Sequence, residues 1–142
     1  MNQIRELVKE VVVAYRLIEG GSLILYFGRK MSLEPFLTWL RFCIDCAWRL
    51  EGKDQIIAGS LNSPELILPE LAKLKGKRII EIECDPFSMD LCIQFEDNIK
   101  LRTFAHSTQD EIWEFRRGDG YRYGIGPSSK PFERMVEPDV KT

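Results

Sequence analysis

Residues 38–59 read TWLRFCIDCAWRLEGKDQIIAG, and residues 103–124 read TFAHSTQDEIWEFRRGDGYRYG. In the first stretch Leu40, Phe42, Ile44, Cys46, Trp48 and Leu50 alternate with positions that include Arg41, Asp45, Arg49 and Glu51. Side chains on a strand point to opposite faces with a period of two, so this run predicts a strand with one buried and one wet face. A shift of 65 residues lays the second stretch on the first without a gap. Trp48 falls on Trp113, Leu50 on Phe115, Asp54 on Asp119, Ile56 on Tyr121 and Gly59 on Gly124. Each copy reads as a strand ending on tryptophan and an apolar residue, a polar turn, and a second short strand closed by glycine. The skeleton expected from this is a repeated hairpin.

Upstream, Ile4, Leu7, Val8, Val11 and Val12 follow a helical face that gives way near Glu10 to a strand ending at Gly20-Gly21. Residues 22–27 form a strand almost apolar throughout, and 28–35 a loop. Between the halves, Ser63 as N-cap, Pro64 at the first helical position and Glu65 at the positive helix end predict a bent helix, or two short ones, over 63–76. Pro69 is expected to break it, unless it begins a second helical turn, and Gly76 to close it. Residues 77–84, 89–96 and 99–104 then alternate as strands, with Ile80, Ile82 and Cys84 opposite Glu81 and Glu83. Leu17 matches Ile82 at an offset of 65, and Leu25 and Phe27 match Ile93 and Phe95 at 68. The expected fold is α+β and mostly β, in a single domain spanning 1–142. Two similar four-stranded antiparallel sheets, related by an internal duplication of 10–60 and 77–127, pack together with a short N-terminal helix and the linking helix. The tail, 128–142, carries Pro131 and Pro138 and is expected to hang loose beyond Phe132.

Composition limits the function classes. Apolar residues make up 44% and charged ones 30% of the 142, a globular rather than a disordered balance. A net charge of −2 gives no global field toward nucleic acid or an anionic membrane. No apolar run approaches the roughly 18 residues of a spanning helix. Arg5, Glu6, Lys9 and Glu10 stand where a signal peptide would be apolar, so a cytoplasmic protein is expected. Cys43 and Cys46 have C-x-x-C spacing, but positions three apart on a strand face opposite sides, and a redox pair would open a helix. Together with Cys84 and Cys92 they read as buried, reduced thiols, with no metal or cofactor implied.

No catalytic constellation emerges, and no enzyme is expected. The single histidine, His106, follows a predicted strand and reads as a polar loop residue. Gly118-Asp119-Gly120 is a hairpin turn and Gly124-Ile125-Gly126-Pro127 ends a strand; neither joins a strand to a helix as a phosphate loop does. Glu81 and Glu83 share a strand face and read as solvated. One local cluster, Arg116, Arg117, Tyr121, Arg122 and Tyr123, combines cations with rings as single-stranded nucleic acid requires. Its arginines, Arg116, Arg117 and Arg122, are the contacts of an alternative nucleic-acid reading. Against it, Tyr121, Tyr123 and Ile125 fall on the row expected to be buried, and Glu111, Glu114 and Asp119 dilute the charge. A small acidic domain rich in edge strands is better suited to binding a protein, or a second copy of itself.

Gly76-Lys77-Arg78-Ile79, then Asp90-Leu91-Cys92-Ile93-Gln94-Phe95, Trp113-Glu114-Phe115 and Ile125-Gly126-Pro127 resemble a group of small bacterial immunity proteins of polymorphic, contact-dependent toxin systems, and related uncharacterised proteins. The resemblance covers mainly 76–127. It implies a protein that binds and blocks a cognate toxin in the producer's own cytoplasm. Such inhibitors often turn an acidic face to a nuclease, although a net charge of −2 supplies no overall acidic character. The candidate contact residues on exposed strands and turns are Asp45, Glu51, Asp54, Glu81, Glu83 and Asp85.

Overall fold

The computed structural model describes residues 2–30, 37–105, 108–109 and 111–138. A 3-10 helix at Asn2–Leu7 leads into β1 (Val12–Leu17), β2 (Leu23–Lys30), β3 (Thr38–Ile44), β4 (Ala47–Glu51) and β5 (Ile56–Gly59). Helix α1 (Pro64–Ala72) is followed by β6 (Ile79–Cys84), β7 (Leu91–Phe95), β8 (Ile99–Phe104), β9 (Trp113–Arg117), β10 (Tyr121–Ile125) and β11 (Pro131–Met135). The strands form two antiparallel sheets, one of six in the order β1-β2-β3-β9-β10-β11 and one of five in the order β5-β4-β8-β7-β6. The fold is therefore α+β and mostly β, but with six and five strands rather than four and four.

Nor does each half make one sheet. The run Leu40–Leu50 is not a single strand: it bends at Asp45-Cys46, so that β3 belongs to the six-stranded sheet and β4 to the five-stranded one. Leu40, Phe42, Ile44, Cys46, Trp48 and Leu50 are nonetheless all buried. A strand that turns a corner between two packed sheets keeps its inner side inward, so alternation passes through the corner unchanged. The hairpin β4–β5 thus joins β6, β7 and β8, while β9–β10 joins β1, β2 and β3. Each sheet is three strands from one half completed by a hairpin from the other, and β11 adds a sixth strand at the edge beside β10.

The contacts of the halves mirror each other. The Trp48 indole N–H, on the five-stranded sheet, donates to the Gly21 carbonyl in the β1–β2 turn at 2.6 Å. The Trp113 indole N–H, on the six-stranded sheet, donates to the Met89 carbonyl before β7 at 2.9 Å. Gly21 and Met89 both have positive φ, 95° and 63°, so each turn aims a carbonyl at the opposite sheet. Near Val11 and Arg78, which form an isolated antiparallel bridge, the Lys9 N–H donates to the Ile79 carbonyl and the Gly76 N–H to the Val12 carbonyl, both at 2.8 Å. β1 and β6 also carry equivalent bulges, between Val12 and Ala14 and between Ile79 and Glu81. The second bulge turns out Ile80, 52% exposed, and gives its expected buried place to Ile79. Register pairs Leu17 with Leu23 and Cys84 with Leu91, so Leu17 and Cys84, rather than Leu17 and Ile82, hold like places in their hairpins.

The core lies between the sheets, with Phe42, Phe115 and Trp113 facing Trp48, Ile93 and Phe95. Ile4 and Leu7 from the N-terminal 3-10 helix, and Ile67, Leu71 and Leu74 from α1 and the turn after it, are buried with them. α1 continues through Pro69, where a break was expected, and Ser63 precedes it without a side-chain cap. The tail also departs from expectation, because Pro131–Met135 pairs with β10 along its length. Proline is tolerated at the first residue of an edge strand, where no ladder N–H is demanded. Gly124 gives this strand its seat: a Cβ there would come within 2.7 Å of the Phe132 ring.

Candidate recognition surfaces

The six acidic residues singled out in the sequence separate into groups. The Glu51 carboxylate, on the outer face of the five-stranded sheet, pairs with Arg49 at 2.7 Å and Arg102 at 2.8 Å. Asp85 accepts the backbone N–H groups of Phe87 and Ser88, both at 2.9 Å, and so shapes the turn between β6 and β7. These bonds to Ser88 and Phe87 hold its carboxyl below its ordinary value. Asp45 is exposed at the β3–β4 corner and Asp54 in the β4–β5 turn. Only Glu81 and Glu83 stand side by side, exposed on the outer face of β6.

Burial alone would raise the Glu51 carboxyl, but hydrogen bonds and charge from Arg102 and Arg49 outweigh it and set it below the usual glutamate value. A lowered folded-state pKa contributes stability above the unfolded value and loses it as pH falls through the folded one. Wild-type stability, followed by urea unfolding, should therefore decline below about pH 4.5 more steeply than that of Glu51→Gln. Equal slopes would show that the pair contributes nothing.

β6 is an edge strand. Beyond the bridge at Arg78 no described strand pairs with its outer side. Along that side runs a groove of about 530 Å³ between β6 and the N-terminal 3-10 helix, lined by Ile4, Val8, Ile80, Ile82, Glu81 and Glu83 among others. A second hollow of about 310 Å³ at the far end of β6 is lined by Glu83, Asp85, Asp90, Cys92 and Arg102.

The arginines of the last hairpin also separate. Arg117 turns away from Arg116 and is held by Asp119 at 2.9 Å and Glu6 at 3.1 Å, with its guanidinium 4.7 Å from the Tyr121 ring. Tyr123 and Ile125 are buried, as the repeated row predicts, whereas Tyr121 is only half-buried. Arg116 and Arg122 lie opposite each other on β9 and β10, and register adds Arg41 on β3 and Arg134 on β11 to the same row. Glu114, 2% exposed, stands one step along β9 from this row. Its carboxylate meets Arg116 at 2.6 Å, Arg134 at 3.4 Å and Arg122 at 3.9 Å. Arg41 and Arg134 are far from the hairpin in sequence, and only the pairing of β3 with β9 and of β10 with β11 reveals the row.

Cys43 lies opposite Glu114 on that outer face and Cys46 in the core, so the C-x-x-C thiols diverge as strand geometry requires. Burial pushes the Cys43 thiol up to about 11 and the Cys46 thiol up to about 12. Burial also raises the Cys84 and Cys92 thiols, but both are half-exposed, so at pH 8 a thiol reagent should reach and label them slowly in the folded protein. Cys43 and Cys46 should label only on unfolding; peptide mapping that finds either one labelled early would contradict their burial. Among the described residues no three His, Cys, Asp or Glu side chains gather as a metal site requires. His106 lies outside the described residues. No described helix is long and apolar enough to cross a membrane. No family model, curated protein or solved structure matches the chain.

Proposed function

We propose that this chain is a protein-binding module, an immunity protein that holds and neutralises a cognate bacterial toxin in the cytoplasm, and that it docks through the outer edge of β6. The observation that carries the reading is the unpaired length of β6 beside its groove, with Ile80 turned out by the bulge and Glu81 and Glu83 exposed. A partner strand laid along such an edge gains main-chain hydrogen bonds, while the groove receives alternate side chains. Ile80 and Ile82 would contribute apolar contact, and the two glutamates would select a basic strand and speed its approach. Asp45 and Asp54 stand away from this edge and take no part in it.

The same reading takes the two halves as products of an internal duplication of a unit with five strands. The mirrored indole bonds, the paired bulges and the reciprocal bonds around Val11 and Arg78 support it.

Co-expression with the product of the adjacent open reading frame tests the function. Wild-type protein should rescue growth and co-purify with that product, and Glu81→Lys with Glu83→Lys should weaken the complex by about tenfold or more. Absence of rescue and of co-purification removes the inhibitor reading. Unchanged affinity in the double variant removes the β6 edge as its site, and a homodimer broken by the same variant would assign the edge to self-association.

A further inference from the structure

We propose that the groove between the β1–β2 turn and the start of α1 is a docking site for a protein segment that carries aliphatic or aromatic side chains between basic residues. It shares no described lining residue with the groove along β6 and stands independently of the inhibitor reading.

The groove measures about 380 Å³ and takes its apolar lining from two distant parts of the chain. Ile18 comes from the turn, Leu61 from the loop after β5 and Leu68 from α1, with Leu17 and the buried Ile67 among them. Ile18, Leu61 and Leu68 are 40%, 100% and 41% exposed. Aliphatic residues exposed one at a time are ordinary on a protein surface. Three that converge on one hollow form a patch of the kind that partners cover.

Both sides of the groove are fixed in advance. The Trp48 indole N–H holds the Gly21 carbonyl and so ties the turn to the opposite sheet. The Ser60 N–H donates to the Trp48 carbonyl at 2.9 Å, and the Ser60 hydroxyl accepts the Trp48 backbone N–H at 3.1 Å. The Asn62 side chain accepts the Gly59 N–H at 2.8 Å. Leu61 lies between these two anchored residues and is held out in water. The turn and the loop meet closely, since a Cβ at Gly21 would come within 2.8 Å of the Ser60 carbonyl oxygen. A surface already in its bound shape avoids part of the ordering cost of association.

Charge decides among the possible occupants. Glu19 lines the groove, and Glu65 stands one helical turn before Leu68 on α1; both are exposed. The cations Lys73 and Lys75 follow the far end of this helix, Lys73 about 12 Å along the axis from Glu65 and itself 3.0 Å from Glu70. Arg16 alternates to the outer face of β1, while Leu17 turns toward the core. At physiological salt, charges beyond about 8 Å are largely screened, so a partner at the groove meets the two glutamates. A second copy seated by two-fold symmetry would set Glu19 and Glu65 against their own equivalents. An anionic lipid surface would be repelled in the same way. Lysine or arginine residues on either side of an apolar pair satisfy both the rim and the floor.

Selection of displayed random peptides, about a dozen residues long, on the purified protein tests the site. Recovered peptides should pair aliphatic or aromatic residues with flanking Lys or Arg, and labelled synthetic copies should bind more weakly as salt rises. Leu61→Ser with Leu68→Ser should weaken them by about tenfold or more. Glu19→Lys with Glu65→Lys should do the same by a similar factor. Leu61→Ser alone, at a fully exposed side chain, should keep the wild-type melting temperature while its affinity falls. Glu81→Lys with Glu83→Lys should bind these peptides as the wild type does, which separates this groove from the β6 edge. No peptide of that pattern, or equal binding by wild type and the leucine variants, would overturn the proposal. Binding lost only in the β6 variant would also overturn it, by moving the peptides to that edge. A dimer dissolved by Leu61→Ser would overturn it in favour of a second copy.

Discussion

Trp48→Ala and Trp113→Ala should each cost about 3–5 kcal/mol in urea unfolding, the range for deletion of a large buried aromatic side chain. The Trp113 ring lies 5.6 Å from Phe42 and 5.9 Å from Tyr123, so its removal opens a void among rings that cannot all close in. Each indole also ties its own sheet to a turn of the other, and its loss leaves the Gly21 or Met89 carbonyl without that donor. Trp113→Phe separates the two contributions: it keeps much of the apolar volume and should cost less, about 1–2 kcal/mol for the lost hydrogen bond and a modest volume change. A loss below about 1 kcal/mol in both alanine variants would show that the tryptophans do not hold the sheets together.

Glu114→Gln should cost about 2–3 kcal/mol. Removing one partner of a buried ionic group costs roughly 3–5 kcal/mol when the charge left behind is fully enclosed. Here the guanidinium groups are partly wet, with side chains 33%, 13% and 53% exposed for Arg116, Arg122 and Arg134, so the effect is reduced. A double-mutant cycle with Arg134→Gln, which removes one of the uncompensated cations, should recover part of the loss. Strict additivity would mean that Glu114 and Arg134 do not interact.

The strands were legible because alternation is a local property. Leu91, Ile93 and Phe95 are buried while Cys92 and Gln94 face out, as their spacing requires. What alternation does not carry is the identity of the neighbouring strand. The bend at Asp45 preserves the inward row, so the passage from one sheet to the other leaves no trace in the pattern. The match of Trp48 to Trp113 was visible, but not that each is placed in the sheet begun by the other half. β11 was obscured by Pro131, which is a loop signal in isolation and harmless at the start of an edge strand.

The arginine row was hidden for the same reason. Arg116 and Arg122 could be grouped because a short turn joins them, whereas Arg41 comes alongside only when Leu40 pairs with Arg117 in a strand neighbouring from far along the chain. Glu114, read as a dilution of the positive charge, is the residue on which three of the arginines converge. On the acidic side, the sequence identified the right residue type without its role, and Glu51 and Asp85 are engaged by arginines and by a turn.

The exchange of hairpins also constrains how the chain can be made. A nascent polypeptide ending after β5 holds the β4–β5 hairpin without β8, the other strand that β4 pairs with, and β3 has no β9. Its first three strands would expose an apolar inner surface and a bare edge to solvent. Closure awaits residues from near the far end, so maturation is expected to be late and concerted, with little durable structure in the emerging first half.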